Sequence, residues 1–253
     1  MKIIIASKVK ALVGFLFIQM TYAQFQSEGE LSIEKGILQL ETTFFNQTEG
    51  AGAEKIDYQQ LPNNLLRYGV SNNTEIRLVI NIEGTQQDSG QGLQYKIGNT
   101  QLGAKVAFNR RNDSKTKGAF FSHFIFPQNW DDFSNSFGYS NQLVLTQNIN
   151  SKFSVTSNFG YTYFSNGTGY YNYTAVAVLN ISNKLSVFIE PYGVFDAKSN
   201  SASNIDFGFS YFLANLQFDF AVGTGINNKM IHQGIVITWQ PIKKAAKQLR
   251  PNM

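Results

Sequence analysis

The sequence predicts an all-β fold: a cleaved signal peptide, then one transmembrane antiparallel up-and-down β-barrel of about 12 strands. Three observations carry that prediction. A basic, then apolar, then small-residue segment opens the chain. Apolar and polar residues alternate with period two through most of the remaining sequence. Short turns rich in turn formers separate segments about as long as a tilted strand needs to cross a bilayer.

The opening segment comes first. Lys2, Lys8 and Lys10 precede an apolar run, Ala11–Ile18, and Thr21-Tyr22-Ala23 ends in small residues that suit a signal peptidase. The apolar run is too short to span roughly 30 Å of hydrocarbon as a helix. The mature chain is therefore expected to start at Gln24. The domain organisation expected is 1–23 signal peptide, 24–36 periplasmic N-terminal segment, 37–240 barrel and 241–253 basic periplasmic tail.

Composition limits what the rest can be. Charged residues make up 15% and aromatic residues 14%, against roughly 25% charged in an ordinary soluble domain. No later run offers 18 consecutive apolar residues, so membrane helices are excluded. Half-apolar, half-polar strands arise when one face meets lipid and the other meets water. The chain has no cysteine, which excludes disulfides and thiolate metal sites. Loss of the three leader lysines takes the net charge from +4 to +1, and Lys243, Lys244, Lys247 and Arg250 lie in the tail. The basic character thus sits outside the barrel and implies no nucleic-acid partner.

Alternation defines the strands. In Glu75–Glu83, Ile76, Leu78, Ile80 and Ile82 oppose Glu75, Arg77, Asn81 and Glu83. In Leu216–Val222, Leu216, Phe218, Phe220 and Val222 oppose Gln217, Asp219 and Ala221. A period of two separates these sets; a helical period would mix them. The same pattern places strands at roughly 37–46, 61–70, 74–83, 99–109, 118–127, 138–149, 153–164, 171–181, 185–195, 204–213, 216–225 and 231–239. Ser71–Asn73, Asn150–Lys152, Ser182–Lys184 and Ala214-Asn215 read as tight turns. The opposite connections, such as 46–60, 84–98 and 128–137, are expected to be long loops. Turns in the periplasm and loops outside would leave both termini periplasmic. Tyr139, Tyr161, Tyr163, Tyr171 and Tyr173 fall near the loop-side strand ends, with Trp239 at the close, as aromatic girdles do.

Three segments go beyond architecture: Leu66–Leu78, Leu185–Gly193 and Asp206–Asp219. Across roughly Leu38 to Trp239 the chain resembles the outer-membrane transporter family described as Putative MetA-pathway of phenol degradation. The resemblance implies a barrel that admits small molecules, apolar or aromatic compounds among them, and it supplies no catalytic residue. The tail after Trp239 departs from barrels that end on an aromatic residue and are recognised there by the outer-membrane assembly machinery.

Polar parity gives the candidate site. Glu41, Arg67, Glu75, Arg77, Glu83, Lys105, Glu190, Asp206 and Asp219 should face the lumen, six acids against three bases. Such charges must be paired or wetted, because an isolated buried charge is costly. They could knit the interior together, line a solute path, or do both. Glu190, Asp206 and Asp219 would form one acidic strip, screened by water or by Arg67, Arg77 or Lys105 reaching across. A barrel of this size leaves a lumen on the order of 10 Å, unless the segment 24–35 plugs it.

Enzyme chemistry finds little support. The chain has two histidines. Ser122 and His123 are strand neighbours facing opposite ways, and His232 is expected near a loop edge. No catalytic, metal or cofactor site is predicted. The reading is an outer-membrane channel or transporter for small-molecule solutes, with membrane lipid as its other partner. A lipid-acting barrel enzyme and a structural or adhesive barrel stay open as alternatives.

Overall fold

The computed structural model describes residues 27–51, 55–86, 92–108, 114–127, 137–198 and 200–241. The expected signal peptide and most of the basic tail lie outside them. Thirteen strands form one sheet: β1 (Leu38–Glu49), β2 (Ile56–Gly69), β3 (Thr74–Gln86), β4 (Gln94–Ile97), β5 (Thr100–Phe108), β6 (Thr116–Phe126) and β7 (Gly138–Asn148). They continue as β8 (Phe153–Phe164), β9 (Gly169–Asn180), β10 (Leu185–Asp196), β11 (Ser201–Leu213), β12 (Leu216–Gly225) and β13 (Met230–Trp239).

Neighbours in sequence pair antiparallel, and β1 pairs with β13 from Leu40↔Trp239 to Glu49↔Met230, so the sheet closes on itself. Closure leaves the wall without free edges, which a lipid environment requires. Strands β4 and β5 both pair with β3 and are two pieces of one barrel strand, broken at Gly98-Asn99. The wall therefore has the twelve strands that alternation predicts. Pro62, which cannot donate to a ladder, sits where β2 shifts register between Gln60 and Asn63.

Burial follows the alternation. On β3, Ile76, Ile80 and Ile82 are 40–47% exposed, while Glu75, Arg77, Asn81 and Glu83 are at most 3% exposed. On this strand apolar residues face out and charged or amide ones face in, the reverse of a soluble domain; elsewhere the interior also holds apolar clusters, such as Ile125, Phe164, Tyr170 and Val194. Tyr139 with Tyr163 and Tyr161 with Tyr171 pack as tilted pairs on the outer wall, with ring centroids 5.6 and 4.8 Å apart. Trp239 marks the opposite rim on the outer face.

The turns form for local reasons. Ser71 Oγ accepts from the backbone N–H groups of Asn73 and Thr74, and Asn150 Oδ1 accepts from those of Lys152 and Phe153. Ala214 takes a positive φ of 51° in the two-residue turn between β11 and β12. The loop side departs from expectation. Strands β1 and β2 run on to Glu49 and start again at Ile56, and β3 and β4 extend into what reads as the loop 84–98. Connections after β8, β10 and β12 are as tight as the turns at the other end. Polar residues such as Gln47, Thr48, Asp57 and Gln59 hide these strand extensions from a hydrophobic pattern, yet they complete the same ladder.

Candidate functional site in the barrel lumen

All nine candidate lumen residues are buried or nearly so. Eight are at most 5% exposed, and the Arg67 side chain is 12% exposed. The structure does not gather them into one site; it divides them between two clusters and two further positions.

The first cluster lies at the end that carries both barrel termini. Arg67 donates to Glu75 from Nε at 2.8 Å and from Nη2 at 3.2 Å, and its Nη1 reaches Gln39 at 2.8 Å. A fork of this kind is among the stronger hydrogen-bonded ion pairs. Arg77 lies over the Phe121 ring, 4.9 Å from its centroid. Its ion pair and that of Lys105 both run to Glu28, a residue outside the barrel wall.

Glu28 arrives because the segment before β1 folds back into the barrel mouth. Ser32 Oγ donates to the Asn73 carbonyl at 2.8 Å, the Ile33 N–H to Glu75 at 2.6 Å, and Arg67 to the Leu31 carbonyl at 3.2 Å. Lys105 donates to the Gly29 carbonyl, and Thr146 on β7 donates to Glu30 at 3.0 Å. Residues 27–33 thus cross from β2–β3 to the far wall. Gly69 makes the crossing possible: a Cβ there would overlap the Glu34 carbonyl. Its backbone bonds Gly36 and Ile37 instead, at 2.8 and 3.0 Å. Burial alone would raise the Glu28 pKa, but the charges of Arg77, Lys105 and Arg67 outweigh it and hold the carboxyl well below the usual range.

The second cluster lies in the loop-side half. Glu190 and Asp206 are direct cross-strand partners on β10 and β11, and both are 0% exposed. His232 Nε2 lies 3.5 Å from Asp206 Oδ2, and Tyr192 Oη lies 3.2 Å from His232 Nδ1. Gly223 stands between Asp206 and His232 in the strand order. A Cβ at Gly223 would overlap the imidazole, so the missing side chain lets histidine reach across a strand to the acid.

Two of the nine, Asp219 and Glu83, belong to neither cluster. Asp219 accepts from Gln217 at 2.8 and 3.0 Å, and Glu83 accepts from Asn81 at 2.7 Å. Glu41, buried on β1, lies within electrostatic reach of Glu28, Arg67 and Arg77 and so belongs with the first cluster. The expected acidic strip is therefore interrupted: Gly223 and Ala221 lie between the Asp206 row and Asp219 on β12. Nor do the bases reach across to it, because the ion pairs of Arg67, Arg77 and Lys105 run to Glu28 and Glu75. His232 lies near the loop end of β13, as expected, but is buried, 3% exposed. Its alternation with Ile231 and Gln233 is the signal that could have placed it. Glu28 carries none, since a lone acid in an irregular segment has no periodicity.

The family model described as Putative MetA-pathway of phenol degradation matches residues 22–229. In structure, the chain is similar to an outer membrane channel from Pseudomonas putida, with a TM-score of 0.68 and 12% identity over 85% of this chain and 99% of that one. It is similar to the KdgM porin, with a TM-score of 0.54 and 11% identity over 79% and 98% of the two chains. The NanC porin gives a TM-score of 0.53 and 9% identity over the same shares. At these identities the likeness is one of fold. No curated protein matches the chain in sequence.

Proposed function

The chain belongs to the family described as Putative MetA-pathway of phenol degradation, and from that premise we propose that it is an outer-membrane channel for small-molecule solutes, apolar or aromatic compounds among them. The observation that carries this reading is the inverted wall: a closed sheet, apolar outside, with ion-paired and amide side chains inside. A purely structural barrel could be filled with apolar residues at no desolvation cost, whereas a polar interior suits solutes and water.

In this proposal the turn end and both termini face the periplasm, and the loop end faces outward. The nine charged lumen residues line the route. The segment 27–36 occupies its periplasmic mouth and narrows it. Relatives in structure support the reading by fold: one is an outer membrane channel and two are porins.

The test is solute flux. Mature protein reconstituted into liposomes should make them swell in an isotonic solution of a small neutral sugar faster than empty liposomes do. Swelling no faster than empty liposomes, from protein that migrates as a folded barrel and also from a variant lacking 27–36, would refute the channel.

A further inference from the structure

We infer that the loop-side cluster of Glu190, Asp206, Asn204, Tyr192 and His232 binds the ammonium group of an amine-bearing solute. The inference rests on the channel reading and adds to it a solute class.

Charge comes first. Glu190 and Asp206 face each other across adjacent strands, and like charges so placed destabilise a sheet. Glu49, also buried, points inward two residues beyond the His232 partner Gln47, toward the loop end. Arg67, Arg77 and Lys105 do not serve Asp206, because their ion pairs run to Glu28 and Glu75 at the other end. Among the described residues, His232 is the charge-capable donor that approaches Asp206, and its 3.5 Å separation exceeds good hydrogen-bond range.

The second observation is independent of charge. Asn204, the cross-strand partner of Tyr192, is 1% exposed, and neither its Oδ1 nor its Nδ2 has a hydrogen-bond partner among the described residues. Both Asp206 carboxylate oxygens share that condition. Native interiors satisfy buried polar atoms almost without exception, and each one left over calls for a missing partner. Three of these four atoms are acceptors, so the missing partner is a donor. Asn204 and Asp206 are two residues apart on one strand and face the same way, so a single group can meet both.

Chemistry narrows the donor. An ammonium brings three N–H donors and a full charge; an alcohol brings one donor and no charge. Tyr192 and Phe45 flank the imidazole, with ring centroids 6.0 and 5.3 Å from it, and aromatic faces of this kind favour organic cations. Among the described residues no three acidic, His or Cys side chains are disposed to hold a metal ion. Calcium would in any case ask for about six to eight oxygen ligands.

The experiment is isothermal titration of the folded, detergent-solubilised mature protein with benzylammonium, benzyl alcohol and benzoate, three probes of similar shape. Benzylammonium should bind, with benzyl alcohol at least about tenfold weaker and benzoate weaker still, as loss of a charge-assisted hydrogen bond implies. Asp206→Asn should weaken benzylammonium by a similar factor. Equal binding of benzyl alcohol and benzylammonium by the parent protein would overturn the inference, and so would an Asp206→Asn barrel that binds the amine unchanged. The comparison of probes needs no variant, so it stands even where the substitution impairs folding. Binding is read without flux: a protein that swells liposomes but ignores the amine keeps the channel and loses this site.

Discussion

Removing residues 27–36 is expected to raise the single-channel conductance of the barrel several-fold and to shift its preference toward anions. The segment crosses the mouth and brings Glu28 to Arg77 and Lys105, so its loss both widens the passage and bares two cations. With Arg67 they then stand against Glu75 and Glu41. Breaking a buried pair by removing one partner costs about 3–5 kcal/mol where the survivor stays dry. Here water can follow into the emptied mouth, so the thermal stability of the barrel should fall by less than that figure. Gly69→Val is the gentler version: a side chain at 69 collides with the Glu34 carbonyl and displaces the segment without deleting Glu28. It should open the channel partway. Acid should not. The Glu28 carboxyl lies well below its ordinary value of 4.5, so its contribution is complete above that value and persists until the pH has fallen far beneath it. Conductance that is unchanged by the deletion would mean that the segment does not obstruct the path.

An arginine on the outer wall is expected to cost the barrel about 2–4 kcal/mol near mid-bilayer. Phe220 is the better position and Leu78 the second. Phe220 pairs with Ile235, four residues along β13 from the rim residue Trp239. With strands tilted near 40°, four residues rise roughly 10 Å, close to the middle of an apolar band about 25 Å tall. Asp219, the preceding residue, points inward and accepts from Gln217. Asp219→Asn keeps its volume and much of that hydrogen bond, so it should cost far less than Phe220→Arg. Denaturant midpoints of the three variants in lipid measure this. Equal losses at 219 and 220 would place both side chains in the same environment and contradict the alternation.

That alternation is why the wall is legible in the sequence. A side-chain period of two, read against a lipid outside and a polar inside, assigns each residue of Glu75–Glu83 to a face without knowing its neighbours. All nine candidate lumen residues come from it. What alternation cannot supply is register. Gly223 lies between Asp206 and His232 only once three strands are aligned, and no local pattern announces that a glycine there lets an imidazole reach an acid. Nor does it supply tertiary recruitment. Glu28 meets Lys105 across 77 residues, from a stretch that belongs to no strand. Strand length is underestimated where the outer face turns polar, at Thr48, Asp57 and Gln59. The hydrophobic signal stops there while the ladder of hydrogen bonds continues.

Single-channel recording shows whether this barrel conducts small solutes along a lumen narrowed by its own N-terminal segment. Mature protein and the variant lacking 27–36 would be inserted separately into a planar bilayer. Small discrete current steps are expected from the first and larger ones from the second. Silence from both, with each protein shown to be a folded and inserted barrel, would contradict conduction.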